Sequence, residues 1–167
     1  MHRLSGCLVL LMHLYARAKL IRRSVAFRMS YEYLDVRGDI GFVVRGEKIE
    51  DIFKTAALAM YNIMVDISKV KRSVSREVEV SAKDLDILLH HWLQELLFIT
   101  DTEGIVFSSF DVEICKDDEF MAKGKAYGEK LNPELHEIRT AIKAVTYHNL
   151  ELRLENSGWK AVVILDV

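Results

Sequence analysis

One proline stands among 167 residues, with no internal repeat and no low-complexity tract, so nothing marks a linker on which to divide the chain. The short enzymatic signatures are missing as well: there is no glycine-rich phosphate loop, no nucleophile elbow and no H-E-x-x-H. Cysteine is scarce. Cys7 and Cys115 lie far apart and form no C-x-x-C pair, which supports neither a zinc site nor a disulfide framework and fits a reducing cytoplasm. Charge of one sign is missing too. A net charge of −2 with 29% charged residues gives neither the electrostatic footprint of a nucleic-acid binder nor an acidic disordered tail. Tight direct binding to RNA is therefore not expected. The apolar stretch from Leu8 to Tyr15 is too short by roughly half to span a bilayer, and no membrane association is expected.

What is present is a core. Half of the residues are apolar, enough for one domain that buries on the order of 70% of the surface its unfolded chain exposes. Residues 1–28 differ in being basic and free of acids. Leu8–Tyr15 follows Arg3 and precedes "ARA" at 16–18, which imitates a signal peptide, but His13 interrupts the run and Met29 offers a second start. This segment reads as an extension outside the working domain, which would occupy residues 29–167. An appended helix and a targeting segment are the alternatives.

From Tyr31 the pattern turns periodic. "YEYLDV" and "DIGFVVRG" alternate as strands do, with Ile40, Phe42 and Val44 on one face and Gly38 between the two. In "KIEDIFKTAALAMYNIMVD", Ile49, Ile52, Phe53, Ala56, Ala57, Met60 and Met64 recur at helical spacing. "SVSREVEV" alternates again. Ser81 with Asp84 resembles a capping box opening a second helix, whose apolar face comprises Leu85, Leu88, Leu89, Trp92, Leu96 and Ile99 and which Gly104 ends. The last third reads as four strands: "IVFSSFDVEIC", "FMAKGKAYGEK", "IKAVTYHNLELRL" and "WKAVVILDV", with a proline loop "LNPELHEIRT" before the third. The order β-β-α-β-α-β-β-β-β predicts an α+β single domain, two helices packed on a largely antiparallel β-sheet system.

Acids and histidines in odd places are the candidates for chemistry. Asp39, in "RGDIGF", reads first as a turn residue beside glycine. It gains another reading if the first and last strands are neighbours, because Asp166 and the α-carboxylate of Val167 would then converge with it. Three carboxylates in one place repel unless a hard cation or a lysine neutralises them. Oxygen ligands alone point to Ca²⁺ or Mg²⁺ rather than zinc. Lys143 and His148 fall on opposite faces of the expected strand 142–154, Lys143 by default solvated and His148 by default structural. His90 and His91 are placed at the edge of the second helix's apolar face, making ordinary surface pairs with Gln94 and Glu95. His136 sits in the proline loop, where function often resides.

Taken together, "DIGF", "AALAMYNIM", "DLDILLHHWLQELL", "AYGEKLNPELHE", "IKAVTYHNLEL" and the closing "WKAVVILDV" resemble the archease family in order and spacing, from about Met29 to Val167. The resemblance implies an α+β domain that assists the RtcB-type tRNA-splicing ligase, which joins RNA ends through a GMP attached to a ligase histidine. It implies promotion of ligase guanylylation and of multiple turnover, with GTP reaching the ligase rather than this chain. It implies a divalent-metal site of Asp39, Asp166 and Val167, Ca²⁺ first and Mg²⁺ or Mn²⁺ as alternatives, with Lys143, His148 and His136 as candidates for a supporting role. The family usually writes H-T-A-D before its first acidic ligand, whereas this chain has V-R-G-D from Val36 to Asp39. The aspartate is kept, no role of the missing His and Thr is carried over, and Arg37 adds a positive charge beside it. An accessory factor is the preferred reading over an enzyme, because no base or nucleophile for a hydrolase can be named. The competing class is a chaperone-like binding module for nucleic-acid-processing enzymes, which needs an exposed apolar groove.

Overall fold

The structure, a computed structural model, describes residues 30–167. The expectations for residues 1–28 and the cysteine reading, which turns on Cys7, fall outside the described residues.

Two strands, β1 (Ser30–Val36) and β2 (Asp39–Gly46), form a hairpin in register Val36↔Asp39. Its two connecting residues, Arg37 (φ 32°) and Gly38 (φ 98°), both carry positive φ. That is the backbone twist a two-residue hairpin demands, and it explains R-G at this point. The first helix follows as α1 (Ile49–Met64), opened by the Asp51 carboxylate accepting from Lys48 N–H at 3.0 Å. The residues expected to form its apolar stripe are buried except Met64, which is half-buried, and Thr55, Ala59, Tyr61 and Ile63 are buried as well. One apolar stripe would serve a helix covering a single sheet. This helix lies against β2 and the last strand on one side and against a strand of a second sheet on the other.

That second sheet holds β3 (Val74–Ala82), β4 (Ile105–Lys116) and β5 (Phe120–Lys130) in the order β3-β5-β4, all antiparallel. Between β3 and β4 runs α2 (Leu85–Glu103), ended by Gly104 in the left-handed conformation (φ 64°), whose N–H bonds Thr100 O at 2.8 Å. The Ser81–Asp84 capping box does not form. Ser81 is still paired with Met121 in the sheet, so it cannot turn back on the helix, and Asp84 is the N-cap. The α1–α2 crossing is fixed by Tyr61, whose hydroxyl donates to Leu96 O at 2.9 Å and lies 2.7 Å from Thr100 Oγ1, its ring stacked on Phe110.

The expected strand 142–154 is broken. It comprises β6 (Ala144–Val145) and β7 (Glu151–Glu155), separated by a turn in which Asn149 adopts φ 50°. Asparagine tolerates that region, so a two-residue period that runs on through the sequence does not continue in the chain. Both pieces pair antiparallel with the same edge of β8 (Gly158–Asp166), whose other edge pairs with β2. The first sheet is therefore β1-β2-β8-β6 with β7 beside β8. The fold is α+β, two helices packed on antiparallel sheets in one compact domain, with the sheet system divided in two. Among the described residues, no helix is long and apolar enough to cross a membrane.

Candidate metal centre

The first strand, β1, is not a neighbour of the last; β2, the strand that Asp39 heads, lies between them and pairs directly with β8. Its pairing with β8 runs to Ile40↔Leu165, and one step further the register sets Asp39 across from Asp166. Residues opposed in this way share a sheet face, with Cβ atoms roughly 5 Å apart. The two aspartates thus stand at one end of the sheet, the first residue of β2 and the last of β8, both half-buried.

On the other side of β8, β6 brings in Lys143. Its backbone N–H donates to Asp166 O at 2.8 Å, its ammonium donates to Val167 O at 2.9 Å, and that ammonium lies 3.8 Å from Asp166 Oδ1. A positive charge therefore sits on the oxygens of the chain's end. Lys143 is well exposed and Asp166 is about half exposed, so water screens the pair. Among the described residues no three His, Cys, Asp or Glu side chains gather closely enough to hold a metal ion. A set at this point needs the Val167 carboxylate as its third member. All three donors would be oxygen and anionic, which fits a hard cation, and the lysine ammonium already occupying that position marks it as a place for positive charge.

The two histidines expected to support this point are held otherwise. His148 is exposed, and its Nε2 accepts from Asn149 Nδ2 at 3.1 Å. His136 is buried in the proline loop, where its Nδ1 accepts from Asn132 N–H at 2.9 Å, which places the proton on Nε2 and makes that atom the donor to Glu129 Oε1 at 2.9 Å. Glu129 also accepts from the backbone N–H of Lys71 at 2.8 Å. That bond first, and His136 second, hold its carboxyl below the usual range. These contacts pin the loop to β5.

A residue assigned to the surface in the sequence proves central. His90 is only 5% exposed; its Nε2 lies 2.8 Å from Val145 O, and Gln94, one turn on, accepts from Val145 N–H through Oε1 at 3.1 Å. The exposed ring of Tyr147 stacks on the imidazole at 3.8 Å between centroids. Burial pushes the His90 pKa down, favouring the neutral ring. Helical spacing could not show this, since it gives the face of α2 but not a backbone partner 51 to 55 residues away. His91, by contrast, reaches Ser81 O through Nδ1 at 2.9 Å.

An open cleft of about 460 Å³ lies beside β1 and β2, lined by Tyr33, Ile40, Asn62 and Arg139 among others. Burial pushes the Tyr33 hydroxyl up to about 12, and it donates to Ala59 O at 3.1 Å. None of the expected site residues lines the cleft.

The model of the Archease protein family matches residues 31–167. The chain belongs to the archease family. Protein archease of Methanosarcina mazei is 45% identical to it over 139 residues, covering 82% of this chain and 95% of the relative. Protein archease of Methanothermobacter thermautotrophicus is 46% identical over 138 residues, covering 82% and 98%. The solution structure of Methanobacterium thermoautotrophicum protein 1598 superposes with a TM-score of 0.74 at 46% identity, over 82% of this chain and 98% of that one. The archease match begins one residue after the first described one.

Proposed function

We propose that this archease-family chain is an accessory factor, not an enzyme, that activates an RtcB-type tRNA-splicing ligase by promoting its guanylylation and multiple turnover. Family membership supports the partner. The observation that supports the site is the register that sets Asp39 across from Asp166, with the Lys143 ammonium on the chain's end. In this reading Asp39, Asp166 and the Val167 carboxylate hold Ca²⁺, with Mg²⁺ or Mn²⁺ as alternatives. When bound, the cation supplies a Lewis-acidic charge at the end of the sheet. The chain's own work is to hold three anionic groups on adjacent strands so that the ion meets a prearranged set, and to present that end to the ligase. GTP belongs to the ligase, since no glycine-rich phosphate loop exists here.

Multiple-turnover ligation decides the reading. The isolated protein is expected neither to join RNA nor to hydrolyse GTP, and to raise turnover severalfold when added to its ligase with GTP and a divalent cation. An unchanged turnover number at saturating protein would sink it.

Lys143 gives a second test. Its ammonium sits on oxygens assigned to the ion, so cation and lysine compete there. Lys143→Met removes the competitor and keeps the backbone bond to Asp166 O. Since the pair is exposed, Ca²⁺ affinity is expected to rise only roughly two- to fivefold. Weaker binding, measured by calorimetry, would show that the lysine supports the ion instead.

A further inference from the structure

We propose that His90 and Gln94 are positioning residues for the terminal carboxylates: from α2 they hold β6, and β6 holds Asp166 in the sheet. The inference rests on the reading of that end as a cation site, and deepens it.

The strand β6 is only two residues long, and its pairing with β8 is confined to Ala144↔Asp166 and Val145↔Leu165. A strand so short has little stability of its own. Yet at Asp166 it matters, because the β2–β8 pairing ends one residue earlier, at Leu165. Beside that short ladder, the residues flanking β6 add two bonds, Lys143 N–H to Asp166 O at 2.8 Å and Thr146 N–H to Ile164 O at 3.0 Å. The N–H and C=O of Val145 do not face β8; both are directed at α2. Val145 is buried, so those two groups need partners.

His90 and Gln94 are the partners. One helical turn separates them, so both side chains leave the same face of α2 and converge on Val145, and together they give it what a neighbouring strand would give. The carbonyl oxygen can only accept, so His90 Nε2 carries the proton and donates, leaving Nδ1 as a buried lone pair without a hydrogen-bond partner. Tyr147, the second residue after β6, folds back over the imidazole and keeps it dry. The link is continuous: α2, Val145, Lys143 and Ala144, Asp166. A mutation at His90 acts at the chain's end without touching the ion.

The test uses the full chain as wild type, His90→Leu, His90→Gln and Gln94→Leu, with amide hydrogen exchange and calorimetry with Ca²⁺ alone. His90→Leu and Gln94→Leu are expected to speed exchange at the Lys143 and Thr146 amides about tenfold over any change in the β3-β5-β4 sheet. Each should weaken Ca²⁺ binding about tenfold, the low end for residues that orient metal ligands. His90→Gln, which keeps a donor at similar reach, should restore both. Unchanged protection at 143 and 146 in both Leu variants overturns the proposal, as does a loss spread evenly over both sheets. A wild type that binds no Ca²⁺ would defeat the metal reading by itself, while the exchange pattern would still decide whether His90 and Gln94 hold the strand.

Discussion

A short tag appended after Val167 is expected to weaken Ca²⁺ binding as much as Asp39→Ala does. An amide in place of the α-carboxylate keeps a carbonyl oxygen but loses a negative charge, and affinity for a hard cation follows the charge count of its oxygen ligands. Each change, and Asp166→Ala with them, should weaken binding on the order of 10- to 100-fold. Pairs of these changes should cost less than the sum of the singles, because groups sharing one ion are coupled. Without metal the effect on stability should run the other way. Removing one carboxylate relieves repulsion, and since Lys143 already offsets part of it in an exposed setting, the gain should stay within about 1 kcal/mol. Calorimetric titration of the wild type, Asp39→Ala and the tagged form is the measurement. Equal affinity in all three would return Asp39 to a turn acid and Asp166 to a solvated strand tip.

Local patterns in the sequence were good guides to local structure and poor guides to what packs against what. Alternation around Gly38 fixed the β1–β2 hairpin, and helical spacing fixed both helices, because each depends on residues a few positions apart. The division into two sheets was not legible, since alternation gives the buried face of a strand but not its neighbour. The same limit explains α1: its second buried face only makes sense once β4 is known to lie there. At Asn149 the period ran on while the backbone turned, a local choice that tertiary context overrode. The acids at the sheet end were legible as types and as a conditional: they meet only if the strands that carry them pair, and β2 and β8 do pair. His90 was misread for the converse reason. A histidine beside an apolar face looks peripheral until the strand whose backbone it serves is placed against it.

The largest loss of fold stability is expected where α2 meets the second sheet, at Trp92 and Gly124. Trp92 is fully buried, with its ring tilted against Phe53 at 6.4 Å between centroids. Trp92→Ala should cost about 3–5 kcal/mol through lost burial and the cavity left behind. Trp92→Phe should cost clearly less, because the buried Nε1–H has no hydrogen-bond partner to lose. Gly124 is the other half of this contact. A Cβ added there would lie 2.9 Å from Trp92 Cη2 and 2.1 Å from the backbone oxygen of Asp111 on β4. An indole tip can shift, but a carbonyl in the β4–β5 ladder moves only with its strand. Gly124→Ala should therefore cost about 3 kcal/mol, at the upper end for overpacking, and combining it with Trp92→Phe should recover little of that loss. Urea unfolding of the single and double variants reads these energies directly. If Trp92→Phe rescues Gly124→Ala to within about 0.5 kcal/mol of Trp92→Phe alone, the indole rather than the β4 backbone sets the limit at Gly124.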